Sequence, residues 1–594
     1  MSATRQTQIF LLLLASAALF RLPALATVPP PLHWDEASRV YDAWCLLETG
    51  ADRHGDARPL FLKSFGEGDW TASLTTWLTV PFVALFGPGA WAARLPDALL
   101  GVLTVAALSV FLLRLLGPAP ALVGTAILAL DPWHISLCRT GQEAGFAPFF
   151  FIMALLGLQQ GGLLAAREPE PDAYRDRTRE RADLRPDRAA AVWALVAGLM
   201  LALHAWVYPA TRLFTPLLAV ALFATHRHAW RARFNQNQEP LATLCIGAVI
   251  GSAPLWLTAL SHLERLAARG RVTLFAAEGL SIGERVVEFV RNYAANFSPV
   301  YQFIRSDEMS GMTVRGSGLH LVAAAPLALI GLWAVLRGCR ISPWNRLLLA
   351  WLALYPLPAA ICRDWNPHPF RTVAGMLLVP LFAAHGWHWL ANRTATWSRR
   401  ARRYAGVAAA LALALNAGWF ADVYFRRMPG PLERGYQTAL VRAMQFAGAQ
   451  ERADFILVTR WMNQPYIYAL LYGPVRPDEL PALPRLEGAD TLGFHQFLRI
   501  GRFFFPPREP DRTPELTAAF QQAFSALAPD AEGLVIEEAG RFGGGELLAT
   551  FRNGEEPAAG PPLEVRRWRR SEDPRPVGPD AGHAPTTSST PTRD

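Results

Sequence analysis

The first polar segment after the N-terminal apolar run carries the residues best suited to chemistry. It reads His33-Trp34-Asp35-Glu36. A carboxylate can take a proton from an attacking hydroxyl, so either acid could act as a general base. An acid in the first turn also stabilises a helix, and Asp is a favoured N-cap residue. The acidic pair therefore has two interpretations, catalysis and helix capping.

A helical pattern starts at this pair. Its apolar stripe comprises Ala37, Val40, Tyr41, Trp44 and Leu47. Asp35, Arg39 and Asp42 fall on the opposite face. We expect an amphipathic surface helix with Asp35 at its N-terminal end.

Basic residues that could bind a phosphate lie in and beyond this segment. Lys63 is the only lysine among 57 basic residues, and its compact charge suits a phosphate. Its survival by chance is an equally good explanation. Arg371 follows two prolines that flank His368 and begins a predicted helix. A cation at a helix N-terminus suits an anion, although the same residues would also serve as an interfacial anchor.

Two further charged groups lie at the ends of apolar runs. Arg94 begins one run, and Arg139 with Glu143 lies in WHISLCRTGQE after another. An Arg–Glu pair at i, i+4 is often only a surface ion pair. Near a membrane interface it could instead orient a ligand or brace the first loop.

The composition places most of the chain in a membrane. It is 52% hydrophobic and 18% charged, whereas soluble domains are about a quarter charged. Apolar runs of about 17–25 residues can cross a bilayer as helices. Eleven spans are predicted, at 8–27, 94–114, 119–136, 145–163, 189–208, 211–226, 241–261, 319–336, 345–361, 372–391 and 404–421.

The distribution of arginine orients these spans. Segments 226–233, 337–346 and 393–403 hold several Arg and no acid, so they are predicted to lie inside. The N-terminus is then inside, and everything after 422 is outside. Residues 71–87 are apolar, but counting them as a span would invert every later loop. We predict an interfacial or re-entrant helix there.

Other features exclude some classes of function. The net charge of +8 comes from short loops between apolar runs, which indicates helix orientation rather than nucleic-acid binding. The five cysteines show no metal-ligand spacing, so a zinc or disulfide framework is not expected. The first apolar run resembles a signal peptide but continues past Arg21, which favours an uncleaved span.

Three regions are expected. Residues 1–421 form the transmembrane module, in which 28–93 is a first outer loop with interfacial helices. Residues 422–552 mix helical patterns (435–449, 464–472) with short strand patterns (455–459, 497–505, 534–537, 546–551), which predicts a small α/β domain. Residues 553–594 are rich in Pro, Gly, Ser and Thr, which is typical of disorder.

Several segments, in their order along the chain, resemble the bacterial branch of the GT-C glycosyltransferases. This branch is related to protein O-mannosyltransferases and to the lipid A aminoarabinose transferase. The segments are HWDEA, FGPGAWAARLPDALLGVLTV, LALDPWHISLCRTGQEAGF, NYAANFSPVYQFIRSDE, NPHPFRTVAGMLLVP and NQPYIYALLYG. They extend to about residue 475, and their order together with the topology carries the resemblance.

The resemblance implies a GT-C type polytopic α-helical membrane protein with about eleven transmembrane helices and a small C-terminal α/β extracytoplasmic domain. The implied enzyme is a hexosyl- or pentosyltransferase in the bacterial inner membrane. It would use a polyprenyl-phosphate sugar on the periplasmic face, where the C-terminus would also lie, and would invert the anomeric carbon. The acceptor is left open among lipid, glycan and protein, and a divalent metal is neither required nor excluded.

The resemblance also suggests roles for residues. Asp35 would be the general base, and Glu36 would assist or replace it. Positive charge should stabilise the leaving phosphate, and the candidates are Lys63, Arg139 and Arg371. Supporting roles fall to Arg94, Glu143 and His368. Relatives often have Asp at the position of Glu143, and the C-terminal domain does not resemble the sugar-binding trefoil of eukaryotic mannosyltransferases.

Two other classes of protein stay open. A transporter or flippase for a lipid-linked sugar would place functional charges inside spans, often in broken helices. Gly251, Pro254, Pro356 and Pro358 interrupt spans and keep this alternative open. A non-catalytic scaffold would not need eleven spans or charged outer loops.

Overall fold

The computed structural model describes residues 3–66, 69–165, 188–266, 280–306, 313–314, 316–362, 366–459, 462–473, 475–489, 495–507, 513–554 and 560–571. Most of the loop between the predicted spans 145–163 and 189–208 lies outside these ranges, as do Arg363 and Asp364. The chain divides into two units, Met1–Tyr436 and Gln437–Asp594.

The first unit begins with the elements that carry the acidic pair. These are helix α1 (Ala3–Arg21), helix α2 (Trp34–Thr49), the hairpin strands β1 (Phe61–Lys63) and β2 (Trp70–Ala72), and helix α3 (Leu74–Phe86). The hairpin is antiparallel and pairs Phe61 with Ala72 and Lys63 with Trp70. The non-spanning apolar segment predicted at 71–87 is thus a short helix, α3, of 13 residues.

The rest of this unit is helical. Its helices are α4 (Ala90–Leu116), α5 (Pro118–Ala129), α6 (Pro132–Arg139), α7 (Ala147–Gln160), α8 (Arg188–Val207), α9 (Pro209–Gln236), α10 (Glu239–Gly251), α11 (Ala253–Ser261), α12 (Ile282–Ala295), α13 (Ala325–Gly338), α14 (Pro343–Leu354), α15 (Leu357–Ala360), α16 (Leu378–Arg393), α17 (Arg399–Asp422) and α18 (Pro429–Gly435). Short 3-10 turns at Glu143–Phe146, Val322–Ala324, Val373–Gly375 and Thr394–Thr396 extend α7, α13 and α16.

Every predicted span overlaps a helix or two consecutive helices, although α1 ends at Arg21, before the limit of 27 predicted for the first span. Within the described residues, four helical stretches are long and apolar enough to cross a membrane by length and composition: Ala90–Leu116, Arg188–Val207, Val373–Thr396 and Arg399–Arg427. The number is six if each of two bent helix pairs forms one span. They are α5 with α6, bent by 51°, and α10 with α11, bent by 47°. The chain is a multi-pass membrane protein.

Small residues let these helices pack closely. A Cβ atom added at Gly198 of α8 would lie 2.0 Å from the Leu244 carbonyl oxygen of α10, and one at Gly247 would lie 2.2 Å from the Leu195 carbonyl oxygen. Reciprocal glycines bring the two backbones together, which is how helices associate in lipid. The outward helix faces remain apolar, as at Val249 and Leu411.

The second unit is built on one mixed sheet. Its strands are β3 (Phe455–Val458), β4 (Arg485–Ala489), β5 (His495–Ile500), β6 (Phe503–Phe504), β7 (Glu532–Glu538), β8 (Glu546–Phe551) and β9 (Leu563–Arg569). The order in the sheet is β4-β5-β6-β3-β7-β9-β8. Strand β3 pairs in parallel with β6 and β7, and the other pairs are antiparallel. The helices are α19 (Thr438–Gly448), α20 (Pro465–Tyr472) and α21 (Pro514–Ser525).

The limits predicted for this domain are wrong at both ends. The unit begins at Gln437 rather than at 422, because α17 continues to Asp422 and α18 follows within the first unit. At the other end, β9 occupies part of the predicted disordered tail. Leu563 and Val565 of β9 are fully buried, so this strand belongs to the core. The strand predicted at 497–505 is split into β5 and β6.

Candidate active site

Helix α2 begins with a capping box that uses the side chain of Glu36 but not that of Asp35. His33 is the N-cap, and the Glu36 carboxylate accepts a hydrogen bond of 2.9 Å from the His33 backbone N–H. In return, the His33 ring nitrogen Nδ1 accepts from the Asp35 N–H at 3.4 Å. Such reciprocal bonds satisfy donors that a helix start leaves unpaired. The capping role considered for Asp35 therefore belongs to His33 and Glu36.

Glu36 is completely buried against Arg94. The Arg94 Nε–H donates to Glu36 Oε1 at 2.7 Å, and its Nη2 donates to Oε2 at 2.9 Å. The Gly141 N–H donates to Oε1 at 2.8 Å. Burial raises the pKa of Glu36, but Arg94 and the backbone donors outweigh burial, so the pKa is lowered. Glu36 is thus held as a carboxylate, with its oxygens engaged by the fold.

Arg94 uses its remaining donors on the segment before α2. It donates to the carbonyl oxygens of Leu25, Pro29 and Pro30 at 2.8–2.9 Å. Charge-assisted bonds of this kind are stronger than neutral ones. Arg94 therefore fastens the chain between α1 and α2 to the start of α4.

Asp35 has a different environment from its neighbour. Its side chain is 40% exposed, and Oδ2 lies 3.3 Å from His33 Nδ1. The residue lines a cavity of about 120 Å³ in the first unit. Of the two acids, Asp35 is the one that a bound molecule can reach.

The walls of this cavity, called here the first-loop cavity, come from five parts of the unit. They are α2, the β1–β2 hairpin with the start of α3, the 141–144 turn, the start of α9, and the segment after the 363–365 gap. The lining residues are Asp35, Ser38, Arg39, Asp42, Leu62, Ser64, Asp69, Thr71, Thr76, Gly141, Gln142, Glu143, Ala144, Tyr208, His368 and Phe370. The predicted polar face of α2, with Asp35, Arg39 and Asp42, therefore faces the cavity.

Arg39 was not among the residues selected from the sequence. It is 5% exposed, and its Nη2 donates to Asp97 Oδ2 at 2.7 Å and to the Ala93 carbonyl oxygen. Its guanidinium carbon lies 5.4 Å from the centre of the Phe146 ring. The signal in the sequence was its place one turn after Asp35, on the same helix face.

Asp42 and Arg53 join α2 to the hairpin. Arg53 Nη1 contacts the Asp42 carboxylate and the Ser38 hydroxyl, and Nη2 donates to the carbonyl oxygens of Lys63 and Ser64 at 3.1 and 2.9 Å. Burial raises the pKa of Asp42 to about 7, in spite of the attraction of Arg53. This cluster fixes the hairpin wall against the helix wall.

The three cations predicted to bind phosphate do not line the cavity. Arg139 is fully buried, and it donates to the carbonyl oxygens of Phe20, Arg21 and Val28 at 2.8–3.3 Å. Lys63 is half-buried between Leu62 and Ser64, which do line the cavity. Arg371 is half-buried and directly follows Phe370.

Two supporting residues, Glu143 and His368, do line the cavity. His368 is 7% exposed, and its Nδ1 accepts from the Phe370 N–H at 3.2 Å. The predicted partners Arg139 and Glu143 have separate environments, one in the buried interior and one at the cavity. Within the described ranges, no group of three or more His, Cys, Asp or Glu side chains is arranged to hold a metal ion.

Comparison with known proteins bears on the fold. Residues 72–160 match the family model described as dolichyl-phosphate-mannose-protein mannosyltransferase. This segment contains Arg94, Asp97 and the 141–144 turn but not α2. No protein of curated function matches the chain in sequence.

Solved structures match over nearly the whole chain. ArnT from Cupriavidus metallidurans bound to undecaprenyl phosphate is 13% identical with a TM-score of 0.53, covering 95% of this chain and 98% of that one. The apo state of ArnT is 14% identical with a TM-score of 0.53, and the match covers 96% of this chain and 98% of that one. AglB from Archaeoglobus fulgidus, in complex with an inhibitory peptide and a dolichol-phosphate, is 11% identical with a TM-score of 0.49, and the match covers 90% of this chain and 69% of that one. The chain therefore has the fold of ArnT. Its helical membrane unit and small C-terminal sheet unit are the architecture that the sequence resemblance predicted.

Proposed function

We propose that this protein is a glycosyltransferase that moves a sugar from a polyprenyl-phosphate donor to a hydroxyl group of an acceptor. The observation that carries the proposal is the division of the acidic pair. Glu36 is bound by Arg94 within the fold, whereas Asp35 lines the first-loop cavity. A partly exposed carboxylate at a cavity has the properties that a general base needs.

The proposed reaction is an inverting displacement. The acceptor oxygen attacks the anomeric carbon of the sugar and forms the new C–O bond as Asp35 takes the hydroxyl proton. The bond between the anomeric carbon and the phosphate oxygen breaks, and its electron pair leaves with the polyprenyl phosphate. Attack on the side opposite the phosphate inverts the anomeric centre. Asp35 also orients the weakly nucleophilic hydroxyl.

The likeness to ArnT bound to undecaprenyl phosphate supports a polyprenyl-phosphate donor. The match of residues 72–160 to a mannosyltransferase family supports sugar transfer from such a lipid. We place the reaction on the periplasmic face of the bacterial inner membrane. The Arg-rich segments support this orientation, because positively charged loops favour the cytoplasmic side, and we then expect α2 and the C-terminal unit on the opposite side.

The direct test uses the full-length protein purified into lipid nanodiscs. It is incubated with a panel of undecaprenyl-phosphate hexoses and pentoses and with membrane lipid and glycan fractions as acceptors. Release of undecaprenyl phosphate and formation of a glycosylated acceptor are followed by mass spectrometry. We expect release with at least one donor in the wild type and a loss of at least a hundredfold in Asp35→Asn. No release from any donor would contradict the proposal.

One observation supports the alternative function, transport of a lipid-linked sugar. It is the two bent helix pairs, α5–α6 and α10–α11. Transport and transfer leave different products, because a transporter changes the leaflet of the donor and leaves its glycosidic bond intact. Nanodisc turnover detects only bond cleavage. A reconstituted vesicle assay with a fluorescent undecaprenyl-phosphate sugar detects movement between leaflets, and movement without cleavage would favour the transporter.

A further inference from the structure

Arg39 has unused hydrogen-bonding capacity at the first-loop cavity. Its Nη2 is engaged by Asp97 and by the Ala93 carbonyl oxygen. Its Nε and Nη1 are buried and have no hydrogen-bond partner in the part of the chain that the structure describes. The residue is 5% exposed and lines the cavity.

This arrangement is costly without a ligand. A buried donor that lacks an acceptor destabilises the folded protein, and the cost is larger when the donor carries charge. The ion pair with Asp97 neutralises the charge of Arg39 but occupies only one of its three nitrogens. A ligand with several acceptor oxygens would satisfy the other two.

The geometry of the Arg39 guanidinium indicates which ligand would suit its Nε and Nη1. A guanidinium presents a planar set of donors that matches two oxygens of a phosphate or a carboxylate. Two acids of the cavity have neighbours other than Arg39, since Asp42 contacts Arg53 and Asp35 lies 3.3 Å from His33 Nδ1. An anion brought from outside is therefore the complement that Arg39 lacks.

The fold fixes Arg39 in place before any ligand arrives. Asp97 lies on α4, has no exposed surface, and holds Nη2 at 2.7 Å. The Phe146 ring packs against the guanidinium. The cation is therefore preorganised, which makes it effective where negative charge develops in a reaction.

We propose that Arg39 binds the phosphate of the polyprenyl-phosphate donor and stabilises it as the leaving group. This rests on the proposed function and names a binding residue for it. Arg39 lies one helical turn from Asp35, and residues at i, i+4 have Cβ atoms about 5–6 Å apart. One helix face thus offers a base for the acceptor and a cation for the phosphate.

The test measures binding separately from transfer. Dissociation constants of the full-length protein in nanodiscs are measured for undecaprenyl phosphate, for undecaprenol, which lacks the phosphate, and for inorganic phosphate. We expect Arg39→Gln to weaken binding of undecaprenyl phosphate at least tenfold and to leave undecaprenol binding within twofold. An equal loss for inorganic phosphate would identify a general phosphate site, whereas a loss only for the lipid would show that the site needs the prenyl chain.

Controls separate a ligand role from a structural role. Arg291→Gln removes one charge from an exposed position on α12, where the side chain is 72% exposed, and should change binding less than twofold. Asp97→Asn removes the ion pair but keeps the Arg39 cation. It should lower the melting temperature with a smaller loss of phosphate binding than Arg39→Gln shows. Equal loss in both variants would make Arg39 merely structural.

Arg39→Lys covers the case in which Arg39→Gln does not fold. Lysine can still pair with Asp97 but offers no second and third nitrogen to a phosphate, so at least fivefold weaker binding is expected. Wild-type affinity in Arg39→Lys or in Arg39→Gln would overturn the inference. If binding depends on Arg39 but no sugar is transferred, the proposed function fails and the phosphate site stands. If Asp35→Asn abolishes sugar transfer while the Arg39 variants bind undecaprenyl phosphate normally, the proposed function stands and the proposed phosphate site fails.

Discussion

Glu36 and Arg94 are joined by two hydrogen bonds of 2.7 and 2.9 Å, across 58 positions of sequence, and neither side chain is exposed. Asp35, the neighbour of Glu36, keeps 40% of its side chain exposed. Two adjacent acids of similar chemistry thus serve different purposes. Glu36 connects α2 to α4, and Asp35 is left for the first-loop cavity.

The Glu36–Arg94 pair predicts a large stability effect. Glu36→Gln should leave Arg94 as a buried charge without its counter-ion, and removing one partner of such a pair costs about 3–5 kcal/mol. We expect a lower melting temperature in detergent and less monodisperse protein on size-exclusion chromatography. Asp35→Asn is the matched control and should melt close to wild type. Equal melting temperatures for the two variants would contradict the division of roles.

A side chain at Gly141, whose N–H binds Glu36, should clash with its neighbours. A Cβ atom there would lie 2.8 Å from the Ala93 carbonyl oxygen and 2.8 Å from Arg39 Nη2. Gly141→Ala should therefore displace the turn whose N–H binds Glu36, at a cost of about 1–3 kcal/mol. Sugar transfer should fall at least tenfold.

Gly418 of α17 provides the control for this substitution. An added Cβ meets no atom within 4 Å, and alanine is a better helix former than glycine. Gly418→Ala should keep the melting temperature and the transfer rate of the wild type. A Gly141→Ala variant that behaves like Gly418→Ala would show that the close approach is not important.

Asp42 predicts a dependence of stability on pH. Burial raises its pKa from 3.8 to about 7, so between these values the folded protein holds a proton that the unfolded chain has released. The free energy of unfolding should then fall as the pH rises through this window. Asp42→Asn should flatten that fall between about pH 4 and pH 7, measured by thermal unfolding at each pH. Glu264→Gln, at a side chain that is 61% exposed, should leave it unchanged, and an unchanged slope in Asp42→Asn would exclude this cause.

Substitutions at two helix N-caps, Asp131 and Ser281, should lower the melting temperature by different amounts. Asp131 accepts from the His134 N–H at 3.0 Å at the start of α6, and its other oxygen lies 2.6 Å from His320 Nδ1. Ser281 caps the exposed start of α12. Asp131→Ala should lower the melting temperature more than Ser281→Ala, because it also leaves the buried His320 without a partner. Similar shifts for both would show that the His320 contact adds nothing.

Much of the helical unit could be predicted from the sequence, because apolar length reports directly on membrane spans. The same holds for α2, whose polar face was predicted with Asp35, Arg39 and Asp42 together. Strand β9 was missed because its seven residues lie within a segment rich in Pro and Gly. The alternation of Leu563 and Val565, both fully buried, was the available signal.

The roles of the arginines could not be predicted in the same way. Arg139 follows an apolar run and looks like an interfacial cation, yet it donates to carbonyl oxygens of residues 111–119 positions away. Arg39 looks like a solvated residue of an amphipathic helix, yet Asp97 holds it at the cavity. Helical spacing indicates which face a residue occupies. It does not indicate which distant backbone will use its donors.

The most direct test of the central claim is the rate of sugar release from a polyprenyl-phosphate donor by Asp35→Asn and by Glu36→Asp, in nanodiscs and per folded molecule. Asp35→Asn should fold and bind undecaprenyl phosphate but lose transfer at least a hundredfold. Glu36→Asp keeps a carboxylate for Arg94, so the molecules that fold should retain transfer within about tenfold. Transfer at the wild-type rate in folded Asp35→Asn would contradict the assignment of Asp35 as the general base.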